Sequence, residues 1–187
     1  VQQFWALSVQ MQFYAMLPFV LIPLFYLSKK LDSLRILLYG FVILFLASFS
    51  YAYFKVYQDQ ASAYFNTFAR GWEFLSGGIL FLVSPLLGFN RSKSRYLAFI
   101  GIALVFCSAL LIPQNANYPG PVALVPVAAA LFIILSGLSK NYSNKFLSSK
   151  LMVFLGGISF TIYLWHWPLL IFYKEIFNKN EVSLLAG

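Results

Sequence analysis

Acidic residues are scarce in this chain: five Asp and Glu stand against 13 Lys and Arg in 187 residues. Charged residues of both signs make up 10%, where a soluble domain carries roughly a quarter. That shortage excludes an ordinary water-soluble fold. Cysteine occurs once, as Cys107 inside an apolar run. An intrachain disulfide is therefore excluded and a packing role remains. Histidine also occurs once, as His166, and neither a metal site nor a bound cofactor is expected. No basic stretch precedes the first apolar segment, so no cleavable signal peptide is expected. The basic excess could suggest nucleic acid, but the bases do not cluster beside stacking aromatics on a polar surface. They fall between apolar runs, and no nucleic-acid partner is expected.

What fills the chain is hydrophobic: 61% of residues, with 21 Phe and 12 Tyr and a mean hydropathy of +0.79. This composition defines an integral membrane protein, with the lipid bilayer as its first partner. The pattern predicts an all-α, polytopic transmembrane helix bundle with about six spanning helices. The spans are expected at about 12–27, 36–54, 71–87, 96–112, 122–138 and 151–173. A polar loop with Lys55, Asp59, Asn66 and Arg70 separates the second span from the third. The uncharged stretch 96–139 is too long for one crossing. It is broken at Pro113-Gln114-Asn115-Ala116-Asn117-Tyr118-Pro119-Gly120-Pro121, a strong turn signal. No soluble domain or internal repeat is evident.

The bases set an expected orientation. Lys29, Lys30 and Arg35 follow span one; Arg91, Lys93 and Arg95 follow span three; Lys140, Lys145 and Lys150 follow span five. The alternate side holds only Lys55, Arg70, Lys174 and Lys179. Nine bases against four, in strict alternation, place the first group in the cytoplasm. The N-terminus, the Asp59 loop, the Tyr118 loop and the tail then face outside. Two glycosylation-like triplets, Asn90-Arg91-Ser92 and Asn141-Tyr142-Ser143, fall on the cytoplasmic side as chance matches.

Several polar residues break the apolar pattern at one depth. His166 lies inside an uncharged run from Leu151 to Tyr173, about 22 Å along a helix that starts inside. Ser159, Tyr163 and His166 share one helical stripe. A titratable group there marks a pathway or a site, while an aromatic anchor at the interface is the plainer alternative. Gln10 and Gln12 lie at the outer end of span one. Arg70 and Glu73 stand one turn apart at the outer end of span three, where a local pair that seats the helix end is the plainer reading. Glu73 is the only acid within a span. Common depth predicts one polar cluster of Glu73, Arg70 and His166. Ser76, Gly77, Gly78, Gly156 and Gly157 suit close helix contacts.

Four segments together resemble a known family. Trp5-Ala6-Leu7-Ser8-Val9-Gln10-Met11-Gln12-Phe13-Tyr14, with Leu17-Pro18, is similar to the Trp-Ser-Leu-Ser-Val-Glu-Glu-Gln-Phe-Tyr motif of the acyltransferase-3 family. These are bacterial multi-pass enzymes that acylate surface or exported glycans. Thr67-Phe68-Ala69-Arg70-Gly71-Trp72-Glu73-Phe74 resembles its Thr-x-Ala-Arg-x-Trp-Glu-Leu segment. Tyr118-Pro119-Gly120-Pro121, with Pro126, resembles its Tyr-Pro-Gly segment. Gly157-Ile158-Ser159-Phe160 through Tyr163-Leu164-Trp165-His166-Trp167-Pro168 resembles its Gly-x-Ile-Ser-Tyr-x-x-Tyr-Leu-Trp-His-x-Pro signature. The four come in the family's order and cover almost all the chain.

The resemblance implies transfer of an acyl group, usually acetyl, from cytoplasmic acyl-CoA to a hydroxyl of a glycan acceptor outside, at the inner (plasma) membrane. It implies His166, Glu73 and Arg70 as supporting candidates for catalysis, and Tyr163, Ser159, Gln10 and Trp5 as substrate-binding candidates. Gln10 stands where the family usually has Glu, and Met11 replaces the second acid, so a role needing a carboxylate there is in doubt. Family members carry about ten spans, and the histidine assigned to acyl transfer belongs to helices without a counterpart here. The chain is therefore expected to be the C-terminal part of the membrane domain, inactive alone. The resemblance also leaves room for a fused extracytoplasmic domain beyond the C-terminus. Two other classes stay open: a transporter or flippase for a lipid-linked glycan or small molecule, and an inert helical subunit. The first lacks paired broken helices, and the second leaves the motif order unexplained.

Overall fold

A computed structural model describes residues 4–31, 33, 35–87, 91–113, 117–138 and 145–177. All regular structure among the described residues is helical. The helices are α1 (Phe4–Lys30), α2 (Arg35–Gln58), α3 (Gln60–Phe65), α4 (Thr67–Val83), α5 (Arg91–Leu111), α6 (Leu124–Gly137) and α7 (Lys150–Phe177). Each apolar run read from the sequence forms one of the longer helices. Four of them, α1, α2, α5 and α7, are long and apolar enough to cross a membrane. α4 has 17 residues and α6 has 14, short of the typical spanning length. Asn90, the triplet at Asn141, Lys140, Lys179 and the chain end after Phe177 lie outside the described residues.

Two boundaries differ from expectation for physical reasons. α1 starts at Phe4 rather than near Gln12, because its polar side chains bond along the helix. Gln10 Nε2 donates to Tyr14 Oη at 3.2 Å and Gln12 Nε2 donates to Ser8 Oγ at 3.2 Å, both at helical i, i+4 spacing. The segment read as a loop between α2 and α4 contains α3. Asp59 Oδ1 accepts from the Ser62 amide at 3.1 Å and caps α3. Asn66 Oδ1 accepts from the amides of Phe68 and Ala69 at 2.9 and 3.1 Å and caps α4. Two capping side chains thus convert polar sequence into consecutive helix starts.

The chain divides into two compact units. One joins Val1–Leu7 with Asn144–Gly187 and contains α7; the other is Ser8–Ser143. The core of the larger unit is built on Trp72, which is fully buried with Ala52 and Ala69 and nearly so with Ala123. Phe45 and Phe49 meet the indole edge-on, with centroids at 6.0 and 5.2 Å. Ala52 of α2 and Ala123 just before α6 let those segments approach closely enough for the indole of α4 to fill the space between them. Between α5 and α6, a Cβ added at Gly101 would lie 3.0 Å from the Ala129 carbonyl, so this crossing needs glycine. Of the small residues expected at contacts, Gly78 packs against the Phe41 ring. Among the described residues of the larger unit, an added Cβ at Gly77 meets nothing within 4 Å, so the close-contact expectation is not met there.

The base count carries a direct test. With Cys107 replaced, a single cysteine at Ser62 should react with an impermeant thiol reagent from outside intact cells. One at Ser92 should react only after permeabilisation. The reverse pattern would invert the orientation.

Candidate functional site

The site grows from the first turns of α4, whose start Asn66 fixes. Arg70 and Glu73 then fall one turn apart. Arg70 Nε donates to Glu73 Oε1 at 3.2 Å and Nη2 donates to Oε2 at 2.9 Å. The pair is two-pronged and mostly buried, with 24% and 18% of the side chains exposed. Such a fork holds both groups in one geometry as well as neutralising them. The Arg70 guanidinium carbon lies 5.6 Å from the Tyr64 ring centre, a cation–π distance that ties α3 to α4.

The connection between α5 and α6 comes to the same place. Tyr118 packs on the Trp72 core, and Pro119 is fully buried. Gly120 permits this seat, since a Cβ there would lie 2.8 Å from the Asn117 carbonyl oxygen and 3.1 Å from Val56. Burial, then the Glu73 carboxylate and Tyr64, hold the Tyr118 hydroxyl above the usual tyrosine range. The phenol stays neutral, and the Glu73 carboxylate is among the charges that act on it. The Arg-x-Trp-Glu and Tyr-Pro-Gly segments therefore converge on one cluster.

The first motif joins through Gln12 rather than Gln10. Thr67 Oγ1 donates to Gln12 Oε1 and links α1 to the start of α4. Gln10 instead bonds within α1, to Tyr14. Residues two apart on a helix project to nearly opposite sides, so only one of the two could face α4. That spacing was the available signal. Trp5 lies in the first turn of α1, partly buried. A second link passes through Ser48 of α2, which donates to the Phe68 carbonyl at 2.6 Å and accepts from the Trp72 amide at 2.8 Å.

Ser159, Tyr163 and His166 lie on α7, in the other unit. Ser159 Oγ donates to the Gly156 carbonyl at 2.7 Å, which occupies its hydrogen locally. His166 Nδ1 lies 2.6 Å from the Tyr163 carbonyl oxygen. In the neutral ring that contact requires the hydrogen on Nδ1, which leaves the Nε2 lone pair as an acceptor. The Tyr163 and His166 rings are 5.8 Å apart between centroids. Arg70 and Glu73 are thus joined as expected. His166 is described within its own unit, with Tyr163 as its neighbour.

Apolar helices of spanning length, with buried polar groups and a forked ion pair at a helix start, define a polytopic membrane protein. The acyltransferase-3 family profile, described as an acyltransferase domain, matches residues 1–186. The chain belongs to that family. It is 26% identical over 197 residues to a provisionally assigned O-acetyltransferase of Staphylococcus aureus strain COL, covering 98% of this chain and 32% of that protein. It is 28% identical over 185 residues to a provisionally assigned membrane-bound transacylase, BcsY, of Komagataeibacter xylinus, covering 98% and 45%. A provisionally assigned peptidoglycan O-acetyltransferase, YrhL, of Bacillus subtilis strain 168 is 27% identical over 181 residues, covering 91% and 28%. The chain thus spans less than half the length of these relatives. No solved structure matches it significantly.

Proposed function

We propose that this chain is part of an integral O-acyltransferase of the plasma membrane. It would move an acetyl or related acyl group from cytoplasmic acyl-CoA to a hydroxyl of an exported or cell-surface glycan. Family membership across nearly the whole chain carries this reading. The convergence of two family segments on the Arg70–Glu73–Tyr118 cluster supports it.

In such a transfer a base takes the acceptor's hydroxyl proton while the oxygen attacks the thioester carbonyl carbon. The carbon–sulfur bond breaks, and the CoA thiolate leaves and takes up a proton. An imidazole is well suited to the proton transfer. The resemblance gives that task to a histidine outside this chain. His166 Nε2 then serves as a hydrogen-bonding support for the acceptor or for that base. Arg70 and Glu73 supply a fixed polar surface on which sugar hydroxyls can be oriented, and the neutral Tyr118 phenol supplies a donor. Tyr163, Ser159, Gln10 and Trp5 remain the proposed substrate-binding set.

The test uses the full-length protein in a host that lacks this ester. Expression should add base-labile ester to an extracytoplasmic glycan. Glu73→Gln should lower the yield by roughly tenfold, because it removes the charge partner of a mostly buried guanidinium. Glycan movement across vesicles with no ester formed would overturn the enzyme reading in favour of transport.

A further inference from the structure

Along the seam of α1, α2 and α4, well below the Gln12–Thr67 link, lies an open apolar groove of about 740 Å³. Its walls include Leu21, Ile22 and Phe25 of α1, Phe41 of α2, and Gly78 and Phe81 of α4. Gly78 and Phe81 come about 7 to 12 Å further along α4 than Glu73, so the groove is separate from the polar cluster. Among the described residues, the only polar tips in its lining belong to Tyr26 and Lys29, in the last turns of α1. We propose that this slot binds an anionic phospholipid of the leaflet at the Lys29 end, with one acyl chain inside and the phosphate at the Lys29 ammonium.

Shape, solvent and charge each point to that occupant. From Leu21 to Lys29 the slot runs about 12 Å along α1, close to the depth of one leaflet, half of an approximately 30 Å hydrocarbon core. Water cannot hold such a space, because a buried water needs two to four polar partners and the walls offer almost none. Ile22, Phe25 and Phe81 are largely exposed in this chain along its open flank, an apolar surface suited to an acyl chain. The charged end fits a phosphate: Lys29 and Lys30 close the last turn of α1, and Arg35 opens α2. A lysine at that level extends its stem along apolar surface and leaves the ammonium among headgroups. Membrane topology alone accounts for the sign of these residues but not for a chain-sized slot ending on one of them. The site would exist whatever reaction the full protein performs.

The experiment uses the full-length protein reconstituted in vesicles of equal parts phosphatidylglycerol and phosphatidylcholine. It is then extracted in mild detergent, and the retained lipids are counted by native mass spectrometry. Phosphatidylglycerol should be retained in preference. Lys29→Gln should lower the ratio of the two retained lipids about fivefold, the effect of one interfacial cation. Lys174→Gln, at the end of α7, should leave the ratio unchanged. Leu21→Trp, which fills the slot and keeps Lys29, should lower the retention of both lipids, so the proposal does not depend on one variant. Equal retention of the two lipids would overturn it. So would a ratio indifferent to Lys29→Gln, an equal drop with Lys174→Gln, or no retained lipid because another helix of the full protein fills the slot.

Discussion

Replacing His166 by Ala in the full-length protein should lower ester formation on the acceptor glycan by about a hundredfold. A positioned imidazole commonly contributes that much when it acts directly on a proton in flight. The geometry gives the expectation its form. With Nδ1 engaged at 2.6 Å by the Tyr163 carbonyl, only Nε2 is left to meet a substrate or another base. His166→Asn can keep a donor to the Tyr163 carbonyl but supplies no basic nitrogen, so it should be impaired nearly as much as Ala. Leu110→Ala, at an 81% exposed position on α5, is the control and should stay near the parent. The yield of ester per unit of membrane-inserted protein checks this. A His166→Ala protein within threefold of the parent would make His166 an interfacial anchor, as the neighbouring Trp165 and Trp167 would equally allow.

The largest stability effect is expected at Trp72. Its side chain is fully buried among Ala52, Ala69, Ala123, Phe45 and Phe49. Truncation to Ala leaves a void that helices fixed by side-chain bonds cannot close, and comparable losses cost about 3–5 kcal/mol. Trp72→Phe should cost less than half of that. The ring fills part of the space, and the substitution also removes the indole N–H, which has no partner among the described residues. An unsatisfied buried donor itself costs about 1–3 kcal/mol, so deleting it offsets some of the lost volume. Reversible unfolding in mixed micelles separates the two variants. Equal losses for Ala and Phe would mean that the N–H is satisfied in the membrane by a group outside this chain.

The helices were legible because long apolar runs leave little choice of structure in a bilayer. Arg70 and Glu73 were legible as a pair because their spacing alone brings them together. Features depending on side-chain caps were not. α3 lies in polar sequence that reads as a loop until Asp59 and Asn66 are seen accepting amide hydrogens. Tyr118 could be placed in a motif but not beside Glu73, because 45 residues separate them and no local rule spans that distance. The motif singles out Gln10 over Gln12, since it names positions without saying which way each one faces. The glycines divided similarly: a Cβ at Gly78 would meet Phe41, whereas one at Gly77 would meet nothing within 4 Å among the described residues.

The Ser48 hydroxyl, set between the Phe68 carbonyl and the Trp72 amide, bears on how the protein meets bilayers of different thickness. Apolar helix pairs can slide past one another at little cost when the surrounding membrane thins or thickens. A slide of α4 along α2 would part the Ser48 hydroxyl from both groups and lose two hydrogen bonds that hydrocarbon cannot replace, so this pair favours a single vertical setting. Mismatch must then be absorbed by tilting the pair as a unit or by bending the lipid around it. Arg70 and Glu73 consequently keep one height relative to α2 as the thickness changes.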